Sequence, residues 1–301
     1  MIRSRVNLAR EVPKKAKAHL SKERRLIKED SEFVFGTHSV KNALATRKRE
    51  CRALYVQNAD IHSEFEEFLN KLQYKIPIKS VNKEHLNQIT ACRPHNGVVL
   101  EASSLNVPTI SDLLFPAGEE YNNKSGQDSP HNDLNEGKSS SSDNYPPLYV
   151  YVDGITDPQN MGAVIRSAYI LGAKGILLSK KHNTFLSPVV SKASAGALEV
   201  FNISHVKNPM VFLRNSVLKG WKVIGTKPAL PDNKDQIYTP HKIKTELMNE
   251  PKILVLGSEK GLRTNILTQC SHYVSIPGGD KYVDSLNVSV AAGILLYSLV
   301  N

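Results

Sequence analysis

The sequence is poor in the residues that build stapled, metal-organised or membrane-spanning proteins. Its three cysteines, Cys51, Cys92 and Cys270, lie far apart and form no Cys-x-x-Cys pair. This excludes a disulfide framework, argues against a structural zinc site and favours a reducing compartment. No run approaches the ~18–20 consecutive apolar residues that cross a bilayer. The longest, Val288 to Val300, is interrupted by Ser289, Gly293, Tyr297 and Ser298 and reads as a buried helix. Neither G-x-G-x-x-G nor G-x-x-x-x-G-K-[ST] occurs, which argues against a Rossmann oxidoreductase or Rossmann-type methyltransferase and against a P-loop ATPase.

What the chain does have is basic charge, unevenly placed. Thirty-nine Lys+Arg stand against 29 Asp+Glu, a formal net charge of +10 over 301 residues. Residues 1–30 hold ten basic and four acidic side chains, 31–118 ten and nine, 119–147 two and six, and 148–301 seventeen and ten. The excess therefore sits at the two ends. A polyanion fits it, although charge alone leaves nucleic acid, an anionic membrane and simple solubility open. A hydrophobic content of 40% and a charged content of 23% suit a globular chain of about two domains.

The start, MIRSRVNLAR, carries three arginines and no acid before Glu11, in amphipathic spacing, and a second basic stretch runs from Lys14 to Lys28. Residues 1–30 are thus expected to be a basic extension that acts as a mitochondrial presequence; a basic RNA-binding tail is the alternative. From Phe33 strands and helices alternate: FVF, a helix through HSVKNAL, CRALYVQ, the helix SEFEEFLNKLQY, PIKSVN, KEHLNQIT and NGVVLEA. This predicts a small α/β domain over 31–105. Residues 106–147 are expected to be a flexible linker, because 119–147 is dense in Ser, Asn, Asp and Gly and has almost no large apolar residue. From Leu148 the alternation resumes and predicts five or six mostly parallel strands over 148–301. SPVVSKASAGAL is expected as one helix, LEVFNIS as a strand and SLNVSVAAGILLYSLV as the closing helix.

Three loops follow predicted strand ends, where open α/β sheets bind ligands. The first runs from Asp153 through Asp157-Pro158, Asn160 and Gly162 into a helix that carries Arg166, with Asn160 as a candidate cap. The second is Leu256-Gly257-Ser258-Glu259-Lys260-Gly261-Leu262, where a glycine directly after a buried strand would let a ligand approach the backbone. The third runs from Ile276-Pro277-Gly278 to Ser285-Leu286-Asn287, and Ser285 and Asn287 are good N-caps for the last helix.

Together, Asp-x-x-x-Asp-Pro-x-Asn-x-Gly-x-x-x-Arg, Leu-Gly-Ser-Glu-x-x-Gly-Leu and Ile-Pro…Ser-Leu-Asn-Val-Ser-Val-Ala-Ala closely resemble motifs 1, 2 and 3 of the SpoU (TrmH-like) branch of the SPOUT RNA methyltransferases. The stretch FVFGTHSVKNALATRKRECRALYV resembles the start of that family's L30e-like RNA-binding domain. Two features depart from the pattern: Lys260 follows the motif 2 acid, where the family often has a small or acidic residue, and the loop GGDKYVD is one residue longer than the commonest spacing.

The resemblance implies an α/β fold: a SPOUT-type parallel sheet over 148–301, trefoil-knotted and with helices on both faces, plus the small L30e-like domain. It implies a homodimer that binds S-adenosylmethionine and methylates a ribose 2′-hydroxyl of RNA, with no metal and no membrane partner. Carried over, Asn160 and Arg166 are the motif 1 polar pair, Glu259 the motif 2 acid, and Ser285 and Asn287 the motif 3 pair. Gly257, Ile276, Leu286, Thr226 and Pro277 are expected to line the cofactor pocket. Arg166, with a side-chain pKa above ~12, suits binding a phosphate and stabilising charge better than taking a proton. With the presequence-like start, the expected substrate is a guanosine of large-subunit rRNA, or its assembly intermediate, in the mitochondrial matrix. A tRNA methyltransferase and a non-catalytic rRNA-binding assembly factor are the alternatives.

Overall fold

The computed structural model describes residues 31–113, 146–227, 237–258, 260–278, 282 and 285–300. The expected presequence at 1–30, most of the expected linker and Glu259 lie outside these residues. The N-terminal unit contains β1 (Ser31–Phe35), α1 (Thr37–Thr46), β2 (Cys51–Val56), α2 (Ala59–Lys71), β3 (Ile78–Ser80), α3 (Lys83–Ile89) and β4 (Val98–Ser103). Its sheet has the order β1-β4-β2-β3, with β4 antiparallel to both neighbours and β3 parallel to β2. Asn58 caps α2 by accepting from the Ile61 N–H, and Asn82 caps α3 in the same way from His85. Phe65 and Leu69 of α2 pack with Val34, Leu44, Leu54 and Leu100 into this unit's own core.

The second sheet is built from apolar runs such as KILVL and GILLS, every residue of which is buried. Such runs are the signature of parallel strands covered on both faces. In chain order the elements are β5 (Thr109–Ile110), β6 (Leu148–Val152), α4 (Pro158–Ile170), β7 (Gly175–Ser179), α5 (Pro188–Ala193), α6 (Ala197–Val200), β8 (Ile203–Val206), α7 (Pro209–Leu218), β9 (Lys222–Thr226), β10 (Ile237–Tyr238), α8 (Pro240–Glu246), β11 (Lys252–Leu256), α9 (Thr264–Leu267), β12 (His272–Val274) and α10 (Val288–Val300). The order across the sheet is β10-β12-β9-β11-β6-β7-β8-β5, and every pairing is parallel. Val150, Val152, Leu254 and Leu256 face α4 and α10 on one side, while Tyr151, Ile253 and Val255 face Phe212, Leu213 and Trp221 on the other. The helices therefore cover both faces.

Four departures from the sequence reading have physical causes. Ser194, Ala195 and Gly196 break the expected helix SPVVSKASAGAL, with Ala195 at φ 50° and Gly196 at φ 82°, and the Ser194 hydroxyl accepts from the Leu198 N–H to begin α6. Leu198–Val200 are consequently helical, and the strand expected at LEVFNIS starts only at Ile203. Two short elements, β10 and α8, arise from IY and PHKIKTE, which have too few residues for a periodicity to show. Most consequentially, the expected linker 106–147 begins inside the second sheet. Thr109 and Ile110 pair with His205 and Val206 of β8, and Leu113 is buried against Trp221 and Phe212. The connection between the two units is thus 104–108, and the Ser/Asn-rich stretch is an insertion between β5 and β6.

The three cysteines differ in access. Cys92 is exposed, Cys51 is buried, and burial pushes the Cys270 thiol up to about 12 and also raises that of Cys51. A thiolate is the reactive form. Ellman's reagent at pH 8 is therefore expected to label one thiol rapidly in the native chain and three after unfolding. Cys92→Ser should abolish the rapid phase; a second fast thiol in that variant would contradict this packing.

Candidate functional site

Because all eight strands run parallel, their carboxyl ends form one edge. Register places Val152 beside Leu256 and Leu178, Val255 beside Gly225, and Thr226 beside Val274. The three motif loops leave the sheet from this row.

The motif 1 loop is held from two sides. Asn183, in the loop after β7, accepts from the N–H groups of Gly154 and Ile155 at 2.9 and 3.0 Å and donates to the carbonyls of Val152 and Ser179 at 2.9 and 3.0 Å. From the other side, Arg263 donates through Nε and one Nη to the two carboxylate oxygens of Asp153, both at 2.7 Å. The Asp153 side chain is fully buried, whereas that of Arg263 is 38% exposed. Since Arg263 directly follows the motif 2 turn, this bidentate pair ties motif 1 to motif 2. Neither contact was visible in the sequence. Asp153 stood inside a recognisable motif, but nothing in KKHNTF or GLRTN marks its partners. Tyr151, next to this pair, is no proton acceptor, since burial and then the Asp153 charge push its phenol far above the ordinary range.

Asp157, not Asn160, caps α4: its carboxylate accepts from the N–H groups of Gln159 and Asn160 at 3.1 and 3.3 Å, and Pro158 fills the first turn. This frees the Asn160 side chain, whose Oδ1 accepts from Nδ2 of Asn287 at 3.1 Å. Asn287 in turn caps α10, accepting from the Ser289 N–H at 2.8 Å. Motifs 1 and 3, separated by more than a hundred residues, thus meet through two helix N-termini. Gly162 explains its own presence, since a Cβ there would lie 2.4 Å from Cβ of Ala193 on α5.

Gly257 meets a steric requirement within its own turn, besides the expected approach of a ligand. A Cβ there would lie 2.6 Å from the carbonyl carbon and oxygen of Gly261, so the glycine is required by the motif 2 turn closing on itself, which the Gly261 N–H to Ser258 carbonyl bond at 2.8 Å completes. Thr226 donates its hydroxyl to the Val255 carbonyl at 3.1 Å. Ile276 is half-buried against the core, and Pro277, Ser285 and Leu286 are exposed at the same edge. Arg166 is not brought to the Asn160–Asn287 pair. It lies roughly 9 Å along α4 and about 120° around it from Asn160, exposed, on a face shared with Tyr169 and Ile170. No group of His, Cys, Asp and Glu that could hold a metal ion occurs among the described residues.

An all-parallel sheet with polar loops converging on one carboxyl edge, and a second α/β unit docked beside it, defines a two-domain α/β protein whose candidate site is that edge. Residues 147–297 match the SpoU rRNA Methylase family and residues 33–108 the family described as RNA 2′-O ribose methyltransferase substrate binding. The chain belongs to the SpoU rRNA methylase family. It is 35% identical to rRNA methyltransferase 1, mitochondrial, of Saccharomyces cerevisiae, covering 89% of this chain and 69% of that one. The human protein of the same name is 31% identical, covering 89% and 72%. That of Dictyostelium discoideum is 35% identical over 77% of this chain, which spans only 43% of that relative's length. Among solved structures, the AdoMet-bound rRNA methyltransferase from Sinorhizobium meliloti superposes with a TM-score of 0.64 at 21% identity, covering 97% of this chain and 95% of that one; at this identity the likeness establishes the fold.

The two halves of the Asp153–Arg263 pair should respond differently to removal. Arg263→Met leaves a buried carboxylate without its cation and is expected to cost about 2–3 kcal/mol, below the range for a fully buried pair because Arg263 is partly solvated. Asp153→Asn leaves only a half-exposed guanidinium to re-solvate and should cost less. Equal losses in urea unfolding would contradict the asymmetry.

Proposed function

We propose that this chain transfers a methyl group from S-adenosylmethionine to the ribose 2′-hydroxyl of a guanosine in mitochondrial large-subunit rRNA, working in the matrix as a homodimer. The observation that carries the reading is the Asn160–Asn287 hydrogen bond. It joins the two motif asparagines at the carboxyl edge, between the cofactor-side loops and the exposed helix that carries Arg166.

The residues at this edge fit the cofactor. Ile276 and Leu286 offer apolar faces to an adenosine, and Thr226, Gly257 and Pro277, just beyond or at the ends of β9, β11 and β12, offer backbone groups to its polar atoms. S-adenosylmethionine supplies a methyl on a sulfonium centre. The protein's task is to present a weak nucleophile in line with that methyl and to help it lose a proton. Asn160 and Asn287, each fixed by the other and by a helix terminus, orient the ribose. Arg166, on an exposed face of α4 away from this pair, holds a phosphate of the same RNA.

An exposed apolar surface supports pairing of two chains. Helix α10 contains no charged residue and exposes Val290, Ile294 and Tyr297 along one stripe, and its neighbour α4 exposes Tyr169 and Ile170 beside Arg166. Such a stripe suits a second copy of itself, which would bring Arg166 to the interface. The order β12-β9-β11-β6, with α10 returning from β12 to pack on α4, supports a C-terminal segment threaded as a trefoil knot.

Calorimetry with S-adenosylmethionine and single-turnover methylation of mitochondrial rRNA fragments and of tRNA test this reading. Binding of the cofactor with 2′-O-methylation of a guanosine in rRNA is expected; no binding to folded chain, or methylation of tRNA alone, would overturn it. Asn160→Ala and Asn287→Ala should each lower the methylation rate by about 10²-fold with cofactor affinity retained. Arg166→Lys, which keeps the charge and loses the planar fork, should fall well below wild type; a near-normal rate would exclude bidentate phosphate binding.

A further inference from the structure

The α5–α6 segment lies between two surfaces. On one side it packs on α4, where Gly162 admits Ala193 two residues beyond Asn160. On the other it receives the N-terminal unit. Val189 of α5 packs against the small cluster of Phe35, Leu86 and Val99. Gly196, at φ 82°, has its Cα so close to α1 that a Cβ would lie 2.7 Å from Nδ2 of Asn42 and 2.8 Å from the His38 carbonyl oxygen, and Asn42 donates to the Gly196 carbonyl at 3.2 Å. Lys48 donates to the carbonyls of Val200 and Phe201 at 3.0 and 2.9 Å.

At the centre is Arg49. Its Nε and one Nη donate to the two oxygens of Glu199 at 2.8 and 3.1 Å, and its other Nη donates to Glu32 at 2.7 Å and to the Ser103 carbonyl at 3.0 Å. Both the Arg49 and Glu199 side chains are fully buried. A buried ion pair is a poor source of net stability, because desolvation cancels much of the attraction, but it admits only one geometry: any rotation of one unit against the other leaves a buried charge unpaired. An apolar contact of similar area would tolerate sliding. Glu199 comes from the catalytic unit and the remaining partners of Arg49 from the N-terminal unit, so the specificity of this pair is spent on the angle between domains.

We propose that the Arg49–Glu199 pair is a latch that fixes the substrate-binding domain in one orientation on α5–α6, so that RNA held by the N-terminal unit meets the Asn160–Asn287 site already aligned. Both are positioning residues, acting through α5 and α4. The proposal rests on the RNA methyltransferase reading for its kinetic consequence, but not for its geometry.

The test uses the full chain and the double variant Arg49→Met/Glu199→Met, which removes both charges and keeps an apolar junction of similar volume. Spin labels at Glu66→Cys and Arg214→Cys, in a Cys92→Ser background, report the distance between units. A narrow distribution is expected with the latch and a broad one without it. Kinetically, the KM for an rRNA fragment should rise about tenfold in the double variant, while kcat and the affinity for S-adenosylmethionine stay near wild type. Single removal by Arg49→Met leaves Glu199 buried and unpaired and should lower the melting temperature, whereas the double variant should recover it. A folded double variant with a narrow distance distribution and unchanged KM would overturn the latch. If the unmodified chain failed to methylate any RNA, the functional reading would fall, and the distance distributions would still decide the latch.

Discussion

Parallel pairing throughout the large sheet is the constraint on which the rest of the molecule depends. A parallel strand cannot be followed by a hairpin, so each strand must be reached by a crossover that travels over one face. The carboxyl ends of β6, β7, β9, β11 and β12 are thereby gathered on one edge, and every motif loop is a strand-to-helix connection leaving that edge. Parallel strands also bury both faces, which is why α4 and α10 lie side by side over the central strands and why their N-termini can meet. The Asn160–Asn287 contact is a consequence of that layering.

Gathering loops at an edge does not by itself make them rigid. Loop backbone has to satisfy its own polar groups, and here two side chains do so for motif 1. Asn183 uses both of its donors and two acceptor sites on four backbone groups around β6 and β7, which leaves the loop no alternative pairing. Asp153, buried, is neutralised by an arginine that stays partly in water, so the cost of burying charge falls mainly on one partner. Motif 2 is held differently: its turn packs on Gly257 and is closed by the Gly261 N–H to Ser258 carbonyl bond. The site thus combines a charge pair and an amide clamp on motif 1 with a steric requirement on motif 2.

The legibility of these features in the sequence follows from their range. Strand-length apolar runs and the three motif loops in order are readable because each is local. The α/β class, helices on both faces and the small N-terminal unit came from those signals and from the family resemblance. Asn183 and Arg263 were not readable, since their role is defined by partners 29 and 110 residues away and no short pattern encodes that. Asn160 was misread as a cap because Asp and Asn are interchangeable there by propensity, and the choice is made by which side chain the distant Asn287 needs. Gly257 reads as a constrained position from its place after a buried strand, whereas the close approach of Gly261 depends on how the turn closes. Strand β5 was missed because two residues carry no periodicity; its identity comes entirely from the edge of β8.

That last miss changes how the two domains relate. With β5 inside the large sheet, the segment between domains is 104–108, five residues between Ser103 and Thr109. Even fully extended, at ~3.3–3.6 Å per residue, it reaches only about 20 Å. The Ser/Asn-rich insertion, with six acidic residues against two basic over 119–147, cannot set the separation of the domains, because both of its ends belong to the catalytic sheet. A short tether already confines the N-terminal unit to the neighbourhood of α5 and α6, so chain connectivity supplies proximity. What remains to be specified is angle, and angle is what a buried, bidentate, multiply hydrogen-bonded arginine controls better than any apolar patch. Arg49 is therefore placed where connectivity stops being sufficient, between the N-terminal unit and the helix layer that carries the Asn160–Asn287 contact.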